Sequence, residues 1–215
     1  MTKLHTFFRS SAAFRARIAL NLKGVAYEPS FVNLRQGEQR APGYLALNPE
    51  GLVPTLEIDG LALSQSMAII EYLDERHPTP PFLPPTPAGR ARVRSLAEIV
   101  ACDIHPLNNA RVLAYLTRVL ACDEAAIGDW YRHWIDLGLD SLELRLGRER
   151  ETGRFCHGDG AGLADICLVP QLFNAMRYDK DPLTRRPVLK RIFEACMALE
   201  PFAKAQPSQQ PDFVP

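Results

Sequence analysis

Two adjacent hydroxyls, Ser10 and Ser11, stand where a short apolar run, Leu4–Phe8, gives way to a helix-forming stretch, Phe14–Leu22. A helix N-terminus carries unpaired N–H groups and the positive end of the helix dipole, so it stabilises an anion. A hydroxyl placed there can donate to a thiolate, or it can simply cap the helix, a role serine fills well at about 1 kcal/mol. The chain has no cysteine before Cys102. Thiol chemistry at this turn therefore needs a thiol brought in from outside. Pro54 precedes an apolar run and cannot join a central ladder. With a cis bond it would bend the chain and leave the Val53 N–H and C=O open to a peptide ligand; with a trans bond it would only start a strand. Ser64-Gln65-Ser66 opens another helix with hydroxyl and amide groups, suited to an α-carboxylate or to plain capping.

Other groupings promise less. Cys102-x-x-His105 has half the spacing of a zinc site and no second pair, so no metal is expected. Cys156-His157 reads as a loop before the glycine-rich turn ending at Gly162. Trp130 and Trp134, four residues apart, read as core or interdomain packing, and Arg90, Arg92 and Arg94 as a solvated helix face. Across 215 residues, 25 Lys+Arg balance 25 Asp+Glu, which argues against nucleic acid as the partner. Five cysteines form no pairing pattern and no charged-then-apolar leader opens the chain, so a reduced, cytoplasmic protein is expected. No apolar run approaches the roughly 18 residues that a membrane span needs, so no membrane is expected as a partner.

The elements that must position these residues fall into two halves. Six prolines between Pro78 and Pro87 forbid a helix interior and a central strand, marking a linker. Before it, Leu4–Phe8, Phe14–Leu22 and Tyr27–Asn33 read as a βαβ unit. Thr55–Ile58 and Leu61–Ser64 flank Asp59-Gly60, a hairpin signal, and Met67–Glu75 repeats apolar residues at helical spacing. This order predicts a thioredoxin-like α/β domain over residues 1–84. After the linker, Arg90–Cys122, Asp123–Arg150, Leu163–Met176 and Pro187–Leu199 predict an all-helical domain over 89–215, with Gln206–Pro215 loosely held.

The run Arg9-Ser10-Ser11-Ala12-Ala13-Phe14-Arg15-Ala16-Arg17-Ile18-Ala19-Leu20 resembles the opening of the zeta-class glutathione transferases, the maleylacetoacetate isomerases. The resemblance continues through Ala46-Leu47-Asn48-Pro49, Leu52-Val53-Pro54-Thr55-Leu56, the stretch from Gln65 to Leu73, and Ala164-Asp165-x-Cys167-Leu168-Val169-Pro170-Gln171. Cys102-Asp103-Ile104-His105-Pro106-Leu107-Asn108-Asn109-Ala110-Arg111 is similar to the bacterial maleylpyruvate isomerase branch. Two positions depart from the pattern: Ala12 replaces a common cysteine, and Gly162 stands where a Thr or Ser usually completes a capping box with Asp165.

The resemblance implies the glutathione transferase fold, glutathione as cofactor, a small diacid as substrate and a homodimer, with the helical domain completing the substrate site. It implies that Ser10, Ser11, Ala12, Ala13, Phe14 and Arg15 surround the thiol and that Val53 pairs with the cysteinyl backbone. Gln65 and Ser66 would hold the γ-glutamyl carboxylate. Gln39, His105, Asn109, Ala110 and Arg111 match further contacts, while Arg9 and Arg177 match binders of the substrate's carboxylates, the alternative being ordinary surface ion pairs. The implied reaction is cis-trans isomerisation of maleylacetoacetate or maleylpyruvate, by reversible addition of the cofactor's sulfur. A conventional transferase or dehalogenase acting on small α-halo acids, and a non-catalytic binding module of the same fold, are the rivals.

Overall fold

The computed structural model describes residues 1–179 and 181–214, which form two compact units: Met1–Pro81 with Ala198–Pro215, and Phe82–Met197. The first holds a four-stranded sheet in the order β2-β1-β3-β4, from β1 (Lys3–Thr6), β2 (Glu28–Phe31), β3 (Thr55–Ile58) and β4 (Leu61–Ser64). β1 and β2 are parallel, joined by a crossover through α1 (Ser11–Leu22), and the remaining pairs are antiparallel. The β3–β4 turn places Asp59 and Gly60 at φ 52° and 78°, the two left-handed positions expected of that dipeptide. A short α2 (Pro42–Leu47) leads into β3, and α3 (Ser66–Arg76) follows β4 and packs on α1. Leu4, Leu56, Ile18, Leu20, Ile69, Ile70 and Leu73 are all fully buried, so strand alternation and helical periodicity meet in one core. This is the thioredoxin-like domain expected.

The second unit is helical: α4 (Pro87–Glu98), α5 (Ala110–Arg118), α6 (Glu124–Arg148), α7 (Leu163–Ala175) and α8 (Pro187–Met197). The single long stretch expected over Arg90–Cys122 is interrupted. After α4 the chain widens into a π-helical turn, Ile99–Ile104, and Pro106, which has no N–H to donate, ends it. Asn109 then starts α5 afresh as its N-cap, accepting from the Arg111 N–H at 3.0 Å. Gly162 has its own reason: a Cβ there would lie 2.7 Å from the Phe82 carbonyl oxygen, which accepts the Leu163 N–H at 3.0 Å. The half of the capping box that survives is Asp165, whose carboxylate takes the N–H groups of Gly162 and Cys156, each at 2.9 Å.

Three expectations are corrected. The helical unit ends at Met197, and a last short helix, α9 (Glu200–Ala203), belongs with the first unit together with the tail beyond it. That tail is anchored where a loose end was expected: buried Arg17 donates to the Ala205 carbonyl at 2.9 Å, and Asp212 accepts from the Phe8 N–H at 2.9 Å. Arg92 is no solvated side chain either. It ties α4 to the loop between α6 and α7 by donating to Glu149, the Cys156 carbonyl and Thr152, with His157 at 3.0 Å. Among the described residues no helix is long and apolar enough to cross a membrane.

Candidate active site

The segment Phe7–Arg9 carries the chain from β1 into α1, and Ser10 is the residue that turns it. Ser10 has extended backbone angles, and its Oγ accepts the Ala13 N–H at 3.2 Å, making it the N-cap of α1. Accepting through an oxygen lone pair leaves the hydroxyl proton available for donation outward. Ser10 is half-buried, whereas Ser11, the first residue of the helix, is 7% exposed. Ala12 beside them is half-buried, Ala13 and Phe14 lie in the core, and Arg9 is exposed.

Two other parts of the first unit point to the same use. Val53-Pro54 is cis, and among the described residues the Val53 backbone enters none of the loop and turn hydrogen bonds. The loop before it is fixed by Asn48, whose amide donates to the Leu52 carbonyl at 3.0 Å and to Thr55 Oγ1 at 2.9 Å, and by Tyr44, which donates to Leu52 at 2.6 Å. Gln65 precedes α3 with φ 66° and ψ 115°, a conformation that a non-glycine residue adopts at a cost of about 1–3 kcal/mol. The Gln65 side chain makes no capping hydrogen bond to the first turn of α3. That side chain is instead held by Glu50, which accepts from Gln65 Nε2 at 2.7 Å and from Ser64 Oγ at 3.1 Å. Ser66 is buried and its Oγ accepts from Arg15 Nη1 at 3.4 Å, joining α1 to α3. The side-chain carbonyl of Gln39 is buried and accepts no hydrogen bond.

In the helical unit His105 closes the π-helical turn, a rare geometry often found at functional sites, and the Asn109 side chain is spent on capping α5. Ala110, Arg111 and Arg177 are exposed. Trp130 and Trp134 pack edge to face at 5.7 Å and line an apolar cavity of about 460 Å³ with Leu116 and Ile127. None of the chain's cysteines lies in the first unit, and in the second, burial pushes the thiols of Cys156 and Cys196 up, with Asp165 adding to it. Neither thiol can serve as a ready nucleophile.

Residues 9–76 match the family described as the glutathione S-transferase N-terminal domain. A maleylpyruvate isomerase of Ralstonia sp is 48% identical over 210 residues, spanning 98% of this chain and 99% of that protein. The chain belongs to the zeta class of glutathione transferases. A holo structure of a maleylpyruvate isomerase, a bacterial member of that class, superposes with a TM-score of 0.95 at 47% identity, covering 99% of this chain and all of the other. A maleylacetoacetate isomerase of Methylobacterium extorquens AM1, with malonate and glutathione bound, gives 0.95 at 43% identity over 99% and 100% of the two chains.

Within this zeta-class chain, sequence reasoning missed the groups that hold the site in shape. Glu50 follows the Asn48-Pro49 motif directly and could have been suspected on that ground. Asn48 and Tyr44 act on backbone carbonyls a few residues away. Arg17, fully buried, donates to Thr6 Oγ1 at 3.0 Å and to the carbonyls of Phe7 at 3.4 Å and Phe8 at 3.2 Å; burial lowers its pKa to about 10, so it stays charged at neutral pH. Nothing in its spacing distinguishes it from a surface arginine.

Proposed function

We propose that this protein is a glutathione-dependent cis-trans isomerase of maleylpyruvate or maleylacetoacetate, working as a cytoplasmic homodimer. The observation that carries the reading is a serine pair at the N-terminus of α1, Ser10 capping the helix, in a unit that has no thiol of its own. Its relatives and structural neighbours carry these two activities in their names, and one of them was solved with malonate and glutathione bound.

The residues present fit glutathione. The N-terminus of α3 at Ser66, which the Gln65 side chain does not cap, suits the γ-glutamyl carboxylate, and the Val53 backbone suits the cysteinyl amide. The buried, unpaired Gln39 carbonyl oxygen is an acceptor awaiting a donor, costly to leave so at about 1–3 kcal/mol. When bound, glutathione supplies a thiolate that adds to the cis double bond, leaves a single bond free to rotate, and departs as the trans bond forms, unconsumed.

The protein's own part is electrostatic and positional. Ser10 donates its hydroxyl proton toward the sulfur while the N-terminus of α1 favours the negative charge. Lowering a thiol pKa by about two units corresponds to about 2.7 kcal/mol of preference for the thiolate. Arg9 and Arg177 take the substrate's carboxylates, since a guanidinium pairs with a carboxylate through two parallel hydrogen bonds. Holding both ends of the diacid fixes the double bond for attack.

The test is to follow the absorbance of both diacids with the protein and a trace of glutathione, then without glutathione. Conversion of at least one, dependent on glutathione, is expected. Conversion of neither sinks the reading.

A further inference from the structure

The Phe7–Arg9 segment, which leads into the serine turn, is held by Arg17 of α1 and by the distant tail. The carbonyls of Phe7 and Phe8 accept from Arg17, and the Phe8 N–H donates to the Asp212 carboxylate at 2.9 Å. The Phe8 ring is buried edge to face against Phe213, with centroids 5.5 Å apart, and the Arg35 guanidinium lies 5.5 Å from the Phe8 centroid on the same ring. Arg17 is shared by the two segments, since its Nε donates to the Ala205 carbonyl in the tail. The Asp212 charge acts on Arg17, and the second oxygen of Asp212 is buried with no hydrogen-bond donor. Burying a carboxylate oxygen in this way is costly, and it is compensated by the nearby guanidinium and by the charge-assisted bond to Phe8.

We propose that Asp212 is a positioning residue for the thiol-activating turn: the tail straps Phe8, and through it the placement of Ser10, from two residues away. This rests on the isomerase reading for its catalytic consequence, though the strap itself is a statement about the turn alone. A displacement of about 1 Å at a reacting group is enough to cost up to a hundredfold in rate, so loosening one anchor of the turn is expected to be felt in turnover.

The experiment compares Asp212→Ala and Asp212→Asn with the unaltered full-length protein. Asn keeps a side-chain oxygen that accepts the Phe8 N–H; Ala does not. Asp212→Ala is expected to lower kcat about tenfold and to raise the pH at which bound glutathione ionises, read from its thiolate absorbance. Asp212→Asn is expected to retain activity within about threefold. Backbone amide exchange at Phe8–Ser11 should quicken in the Ala variant and stay slow in the Asn variant, and this readout does not depend on any substrate. If exchange quickens as expected but the unaltered protein isomerises nothing, the isomerase reading fails and the strap stands. If Asp212→Ala leaves kcat, the thiol's ionisation and the exchange of Phe8–Ser11 unchanged, the strap is overturned, whatever happens to the melting temperature. An equal loss of kcat in both variants overturns it as well, because the hydrogen bond to Phe8 would then not be what matters.

Discussion

Replacing Ser10 by Ala is expected to lower kcat/KM for the isomerisation by about 10²–10³, the usual cost of removing one donor aimed at a reacting anion. The thiol of bound glutathione should at the same time drift back toward the free value of about 8.5. The assignment to Ser10 follows from its place: half-buried at the mouth of α1, with Oγ accepting from Ala13 and its proton left to give. Ser11, nearly covered, is expected to lose less than about tenfold on conversion to Ala. Ser10→Ala also removes a helix cap worth about 1 kcal/mol, so its melting temperature should fall by about 2–4 °C. Such a shift leaves the protein folded at assay temperature, and it separates the cap from the chemistry. Full activity in Ser10→Ala beside an inactive Ser11→Ala would exchange the roles of the two hydroxyls.

Arg177→Ala is expected to raise KM for the diacid by about 10–100-fold while leaving the Kd for glutathione within about twofold, since a charge-assisted pair to a carboxylate is worth about 1.5–3 kcal/mol. Arg177→Lys should recover only part of the loss, because an ammonium cannot offer the planar fork. Titrating glutathione by calorimetry and the diacid by initial rates gives the two quantities separately. Equal losses in both would remove Arg177 from the substrate's side of the site. Arg9→Ala tests the other carboxylate in the same way, but its closeness to Ser10 makes a mixed effect expected there.

Much of this was legible in the chain because the signals were local. Thr55–Ile58 and Leu61–Ser64 match β3 and β4 end for end, since the Asp59-Gly60 turn fixes where both strands stop. The α1 start was legible from Ser10 before an apolar run, and the linker from its prolines. What escaped was long-range. Gln206–Pro215 has no periodicity in sequence, and residues 206–214 are held by contacts with residues about two hundred positions earlier, Asp212 on Phe8 among them. The spacing puts Arg92 on a solvated face and gives Arg17 no role, because composition and spacing do not record that carbonyls and carboxylates wait for them inside the fold. The break after α4 was hidden because apolar residues continue at helical spacing through Ile99–Ile104, where the backbone widens by one residue per turn. Val53, Gln65 and Ser66 stand out from local sequence and from resemblance; the Asn48, Tyr44 and Glu50 contacts around them are visible only in the fold.

The central claim is that the sulfur is borrowed and returned. It is tested most directly by counting it: free thiol is titrated before and after the protein has converted a hundredfold excess of maleylpyruvate or maleylacetoacetate over glutathione. The account predicts product far in excess of glutathione with the free thiol undiminished. Loss of one thiol for each molecule of substrate consumed would contradict it and would make this protein a transferase in its chemistry as well as in its fold.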